Sequence, residues 1–256
     1  MDIPKNAFKQ ALREGRQQIG LWCTLPDPYL TEILSGAGFD WLLLDAEHSP
    51  SDIRSMMAQL QVGRAGPSAL VVRPPVNDTV LIKQYLDIGA QTLLLPMIQS
   101  AEEARAAVSA MRYPPAGVRG VAGMTRASRF GRAKNYLQRA EEELCLLVQV
   151  ETKGALEQIE AIAAVDGVDG VFVGPSDLAA SLGHRGESFH PEVVAAIDSA
   201  IARITAAGKP AGILTPDIDF ARRCIDLGTR FTAVGSDMAV LLNGAEALAL
   251  KFAGKK

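Results

Sequence analysis

The chain has 256 residues, is 48% apolar, and sets 26 lysines and arginines against 29 acids. That length fits one large α/β domain or two small ones, the composition allows a sizeable core and excludes a disordered chain, and the net charge of −3 gives no electrostatic case for a nucleic-acid or anionic-membrane partner. No apolar stretch reaches bilayer-spanning length, and Met1-Asp2-Ile3-Pro4-Lys5 opens an amphipathic segment rather than a signal peptide.

The first apolar run predicts a strand over 19–25, followed by a helical pattern over 28–37 that stops at Gly38. The second strand, 41–45, runs into Leu44-Asp45-Ala46-Glu47-His48. A histidine just past a buried strand and beside two acids is a candidate general base. The competing reading is a structural histidine bonded to backbone. After a helix over 52–62, the third strand, 69–73, ends in Val71-Val72-Arg73-Pro74. An arginine there meets either a reacting anion or a buried acid of the fold. The helix over 79–87 finishes on Asp87, an acid opposing the helix dipole. A solvated surface acid is the plainer reading of it.

A strand over 92–97 and a helix over 101–111 lead to an abnormal connection, 113–143. It begins Tyr113-Pro114-Pro115-Ala116-Gly117-Val118-Arg119-Gly120, carries Arg126, Arg129 and Arg132, and ends in a short acidic helix. A crossover this long suits a lid or an oligomer contact, and equally a tolerated surface insertion.

The next strands, 144–150 and 170–173, are uninterrupted apolar runs, as in strands buried on both faces of a parallel sheet. Glu151 follows one and Asp177 follows the other, with a helix over 154–164 between them. Two carboxylates supply only oxygen ligands, which suit Mg²⁺ or Mn²⁺. Asp177 by itself also reads as a helix N-cap before Leu178-Ala179-Ala180. His184 and His190 lie in a polar, glycine-rich loop and carry no assignment. Helices over 191–207 and 217–227 alternate with strands 211–214 and 231–235, and an Ala- and Leu-rich segment, 238–252, closes the chain.

Strand–helix alternation implies parallel pairing with right-handed crossovers. Eight strands at this length predict an α/β fold closed as a (β/α)8 barrel, one domain over 1–256, with chemistry at the strand C-termini. Cys23, Cys145 and Cys224, odd in number and widely spaced, read as core thiols of a cytoplasmic protein. No lysine falls on a predicted strand; Lys153 comes nearest, and Lys255 and Lys256 are terminal, so Schiff-base chemistry is disfavoured. Thr215-Pro216-Asp217 and Ser236-Asp237 place acids where a barrel phosphate site would need cations.

Five strings, Gly38 through His48, Val72-Arg73-Pro74, Tyr113 through Gly120, Gln149-Val150-Glu151-Thr152 and Gly174-Pro175-Ser176-Asp177-Leu178, together resemble the 4-hydroxy-2-oxoheptanedioate aldolase family. These are metal-dependent class II pyruvate aldolases. The resemblance implies a barrel of the phosphoenolpyruvate/pyruvate type, a homo-hexamer with the last helix exchanged between subunits, and reversible cleavage of 4-hydroxy-2-keto acids to pyruvate or hydroxypyruvate and an aldehyde. It implies Glu151 and Asp177 as ligands of Mg²⁺, Mn²⁺ or Co²⁺, a Lewis acid on the ketone. It further implies His48 as base, Arg73 as enolate stabiliser and Asp87 as the acid that raises the histidine's basicity. Gln149 and Ser176, with Arg73 and Asp177, would contact the pyruvate moiety, and Asp45 a metal-bound water. Ala46 and Ser176 stand where the family often has Gly and Ala. An acyl-CoA lyase of the citrate lyase beta or malyl-CoA type is the alternative; it needs a basic nucleotide-binding surface, for which 126–132 is the one candidate stretch. A non-catalytic keto-acid-binding protein is a third reading, which His48 and Arg73 oppose, because binding needs no base.

Overall fold

The structure, a computed structural model, describes residues 1–253, so Lys255 and Lys256 lie outside it. The first half of the chain runs α1 (Ala7–Arg13), β1 (Gln18–Cys23), α2 (Pro28–Ser35), β2 (Trp41–Asp45), α3 (Ile53–Val62), β3 (Ala69–Arg73), α4 (Thr79–Asp87), β4 (Thr92–Leu95) and α5 (Ala101–Met111). The second half runs α6 (Tyr136–Glu143), β5 (Cys145–Val150), α7 (Lys153–Glu157), α8 (Ile159–Ala163), β6 (Gly170–Val173), α9 (Pro175–Ser181), α10 (Pro191–Ala206), β7 (Ala211–Leu214), α11 (Ile218–Leu227), β8 (Thr229–Ser236) and α12 (Asp237–Leu250). All eight strands pair in parallel, in sequence order, and close into a barrel.

Alternation along each strand divides the core in two. Trp41 and Leu43, Val71, Leu94, Cys145 and Leu147, Phe172 and Phe231 point into the lumen, which Phe8 and Leu12 of α1 plug from below. Leu42 and Leu44, Val72, Leu93, Leu146 and Val148 face outwards under the helices. Bulky lumen residues need small partners. A Cβ on Gly20 would lie 2.2 Å from the Trp41 ring, its cross-strand neighbour, a clash of the overpacking kind that costs about 1–3 kcal/mol.

The expected helix over 154–164 is divided. A tightened turn from the Gln158 N–H to the Ala155 carbonyl interrupts it, while Ala155, Ile159 and Ile162 stay on one buried face. Asp237, read above only as an acid that would repel phosphate, is buried and accepts hydrogen bonds from the N–H groups of Thr24 and Leu25, tying the start of α12 to the turn after β1.

The 113–143 connection lies at the barrel's N-terminal end, between the close of α5 and the start of β5. That position removes a lid over this chain's own strand C-termini. Fully buried Arg119 pairs with Asp87 at 2.7 Å and stacks on the Tyr113 ring, while Arg126 donates to the carbonyls of Ile88 and Leu60. Arg126 is therefore an anchor of the connection to α3 and α4 and is not free for a nucleotide.

Candidate active site

The lumen parity of the strands continues into polar residues at their C-terminal ends. Trp41 and Leu43 are followed at the same spacing by Asp45, Val71 by Arg73, and Cys145 and Leu147 by Gln149 and Glu151. Arg73, Gln149 and Glu151 line a cavity of about 190 Å³ with His48, Ser176 and Asp177. Trp22, Phe172 and Leu214 form its apolar flank. A larger cavity, about 380 Å³, opens at the opposite end of the barrel beside Lys9, Arg112 and Asp169. Several of its charges are paired with one another, Lys9 with Asp169 and Arg112 with Glu141 and Asp166. Barrel chemistry belongs to the strand C-termini, so the smaller cavity is the candidate active site.

Register explains the first pair. Asp45 and Arg73 are opposite residues of β2 and β3. The guanidinium donates to Asp45 through Nε at 2.9 Å and Nη2 at 2.6 Å, while its Nη1 lies 2.8 Å from Glu47 Oε2. Its Cζ stands 4.8 Å from the Trp22 ring centroid. Burial raises the Asp45 carboxyl, but the Arg73 hydrogen bonds and charge, the Glu47 N–H and the Trp22 indole outweigh it and hold the group below the ordinary range. The buried salt bridge and the cavity-facing arginine are thus one and the same feature.

Glu151 is 1% exposed. Its Oε1 accepts from the Met97 N–H at 2.8 Å, and its Oε2 from Gln149 Nε2 at 2.5 Å. Met97 takes a left-handed backbone conformation, φ 54°, in presenting that N–H. Gly174 must lack a side chain here, because a Cβ would come within 2.5 Å of Glu151 Oε2. Burial, augmented by the nearby charges of Asp177 and Glu47, raises the Glu151 carboxyl to about 7 despite its two hydrogen bonds. Glu47 is raised as well, by burial first, with Arg73 and His48 opposing and Asp45 and Asp177 adding.

Asp177 is not the N-cap; Gly174 occupies that position, and Asp177 sits exposed in the first turn of α9, accepting no hydrogen bond among the described residues. His48 is not tied to backbone either. Its side chain is 67% exposed, with Nε2 3.9 Å from Glu47 Oε2. Asp87 does not join the cavity. α4 runs antiparallel to the strands, so its last residue lies at the N-terminal end, where Arg119 engages it. The site also holds Glu47, Trp22, Phe172 and Leu214, which the sequence reading did not assign. The inward parity of Trp22 and Phe172 was their only signal.

The donor set fits a hard divalent cation. The charge of Asp177 raises the carboxyls of Glu47 and Glu151, and that of Glu47 raises Glu151 further, Arg73 is the one guanidinium among the lining residues and is shared with Asp45, and the buried Gln149 Oε1 has no hydrogen-bond partner among the described residues. Among the described residues no lysine lines the cavity. A pH prediction follows from Glu151. Between its ordinary 4.5 and about 7 the folded carboxyl binds more protons than the unfolded one, so the stability of chelator-treated protein is expected to fall as pH rises through that window. The loss, complete above the folded value, is at most roughly 3 kcal/mol. Cation affinity should rise over the same window. Urea unfolding against pH checks this; a profile identical in Glu151→Gln would contradict it.

The family model for HpcH/HpaI aldolase/citrate lyase matches residues 18–244. The chain is 62% identical over 253 residues to a pyruvate aldolase of Rhizobium etli, covering 99% of this chain and 100% of the relative. It is 56% identical to a hydroxypyruvate/pyruvate aldolase of Pseudomonas aeruginosa, covering 99% and 95%. The crystal structure of an HpcH/HpaI aldolase/citrate lyase family protein from Burkholderia cenocepacia superposes with a TM-score of 0.94 at 41% identity, covering 96% of this chain and 99% of that one.

Proposed function

This chain belongs to the HpcH/HpaI aldolase/citrate lyase family and is a pyruvate aldolase, a carbon–carbon lyase, and we propose that its barrel cavity cleaves 4-hydroxy-2-keto acids reversibly to pyruvate, or hydroxypyruvate, and an aldehyde. The observation that carries the reading is the cluster of carboxylates Glu47, Glu151 and Asp177 beside a buried arginine and an exposed histidine. Glu151 and Asp177 would hold a divalent metal, with all-oxygen donors favouring Mg²⁺ or Mn²⁺ and Co²⁺ as a substitute. When bound, that ion supplies Lewis-acid polarisation of the keto group.

The chain's own residues supply the remaining functions. His48, unhindered at the rim, takes the 4-hydroxyl proton in cleavage or the pyruvate methyl proton in condensation. Arg73 faces the negative charge that develops on the enolate. Two bonds from Asp45 fix its guanidinium beforehand, so little reorganisation accompanies charge development. Gln149 and Ser176 orient the keto acid, and Trp22, Phe172 and Leu214 shield one side from water. Asp45 acts through Arg73 and any water held near the ion.

Asp87 remains the proposed acid partner of His48. Within one chain it lies at the other end of the barrel, so it would meet His48 of a neighbouring subunit. Assembly is supported by α12, in which Val240, Leu241, Leu242, Leu248 and Leu250 are exposed. The chain's 12133 Å² of accessible surface also exceeds the roughly 10,900 Å² expected of a compact monomer of 27.2 kDa. A homo-hexamer with exchanged C-terminal helices is the proposed form, in the cytoplasm. Among the described residues no helix is long and apolar enough to cross a membrane.

Chelator treatment is expected to abolish cleavage of a 4-hydroxy-2-keto acid, and Mg²⁺ or Mn²⁺ to restore it. Borohydride with pyruvate should trap no adduct on the protein, whereas a labelled lysine would overturn the metal reading. Turnover of malyl-CoA without turnover of hydroxy-keto acids would point instead to an acyl-CoA lyase.

A further inference from the structure

We propose that His184, His190 and Glu192 form a second cation site, selective for a borderline transition ion such as Zn²⁺ or Cu²⁺ and separate from the oxygen-lined site in the barrel. These three residues offer ligand atoms that all lie within 4.8 Å of one another. His184 Nε2 is 2.8 Å from Glu192 Oε2, and the two imidazole rings stack with centroids 3.5 Å apart. Ligands around a tetrahedral zinc stand roughly 3.3 Å apart at ordinary bond lengths. The cluster is therefore close to ligating dimensions before any ion arrives.

The scaffold is largely set in advance. The loop between α9 and α10 is knitted by backbone bonds from the His184 N–H to the Ala179 carbonyl, from Glu187 to His184 and from His190 to Glu187. Its tight course uses Gly183 and Gly186 at positive φ, and His190 then caps α10, its Nδ1 accepting from the Glu192 N–H at 3.3 Å. That bond takes up the Nδ1 lone pair and leaves the neutral ring's proton on Nε2, so His190 ligates through Nε2 only when the proton moves to Nδ1 and this 3.3 Å cap bond is given up. Two nearly parallel rings, 15° apart, cannot both point their lone pairs at one ion as they stand. One ring must turn about χ2, a broad torsion, and His184, which is not held by the α10 cap as His190 is, is the freer of the two.

Ligand chemistry separates the two sites. Two imidazole nitrogens with one carboxylate suit zinc, copper or nickel, whereas carboxylates alone suit magnesium or manganese. A cation here would staple the loop that follows α9, the helix bearing Asp177, to the first turn of α10. The proposal does not rest on the aldolase mechanism, since none of its three ligands lines the barrel cavity.

The test is zinc titration by calorimetry on the full-length protein with Mg²⁺ saturating, together with nitrogen hyperfine structure in the Cu²⁺ electron paramagnetic resonance spectrum. Wild type should take up one Zn²⁺ per chain and show two-nitrogen Cu²⁺ coordination. His184→Asn with His190→Asn, which keeps a capping side chain at position 190, should weaken that uptake at least about 100-fold, since even indirect support of a metal site is worth 10–100-fold. Glu151→Gln with Asp177→Asn should retain it. Of the three histidine ring signals, zinc should shift two and spare that of His48. Absence of a one-to-one site, its survival in the histidine double variant, or its loss in the barrel double variant would each overturn the proposal.

Discussion

Replacing Arg73 with alanine is expected to lower kcat for cleavage about 10²–10³-fold, the usual consequence of losing one fixed donor to a developing oxyanion. The same change should destabilise the protein by about 3–5 kcal/mol, because it strands a buried carboxylate. The geometry connects the two effects. Asp45 is buried and gives both carboxylate oxygens to the guanidinium. Adding Asp45→Asn to the alanine variant removes the stranded charge. Most of the lost stability should therefore return, as read by urea unfolding, while kcat stays low. If activity returned together with stability, Arg73 would be a strut for the barrel rim and not a stabiliser of the enolate. Arg73→Lys keeps a charge but not the fork, so it should fall between wild type and alanine in both measurements.

The same pair of strands shows why much of the site was legible in the sequence. Side chains alternate along a strand, and in a closed barrel one parity faces the lumen throughout. Once Trp41 and Leu43 are inward, Asp45 is inward too; once Cys145 and Leu147 are inward, so are Gln149 and Glu151. Polar residues that continue an inward apolar row have nowhere to go but the mouth of the barrel. Such residues must be paired or bind something. The strands themselves were recognisable for the related reason that both faces are buried, which makes each an unbroken apolar run.

Other features had no such signature. Trp22, Phe172 and Leu214 line the cavity with side chains of the kind that fill the core beneath it, and apolar residues do not announce which of the two they do. Glu47 lies beyond β2 in a turn, where alternation no longer fixes direction, and its contact with Arg73 depends on how that turn folds back. Asp87 exposes a different limit. Its place at the end of α4 is plain from the pattern, yet a helix returning alongside the barrel carries its last residue away from the site. Any role for it at His48 is a property of the assembly, which periodicity within one chain does not encode. The 113–143 connection is anchored by Arg119 and Arg126 through an ion pair and carbonyl bonds to distant helices, contacts that no local spacing predicts.

His48→Ala should have the largest effect on proton transfer and almost none on the fold. Positioned general bases contribute about 10²–10⁴-fold, so exchange of the pyruvate methyl protons with deuterated water and cleavage of a 4-hydroxy-2-keto acid should fall together by that factor. The side chain is 67% exposed and its Nε2 stands 3.9 Å from the Glu47 carboxylate, so stability should stay within about 0.5 kcal/mol. Mn²⁺ affinity should be unchanged, because Glu151 and Asp177 are untouched. The rival base is Glu47, half-buried and with a carboxyl raised by burial, which places it closer to neutrality than an ordinary glutamate. Glu47→Gln separates them. If His48 is the base, the glutamine variant keeps methyl exchange and shows mainly a looser Arg73, with a higher KM for the keto acid. If Glu47 is the base, its variant loses exchange while His48→Ala retains it. The orientation of Arg73 favours the first outcome: Nη1 lies 2.8 Å from the Glu47 carboxylate, and a carboxylate held by a guanidinium is a weaker proton acceptor than an imidazole open to the cavity.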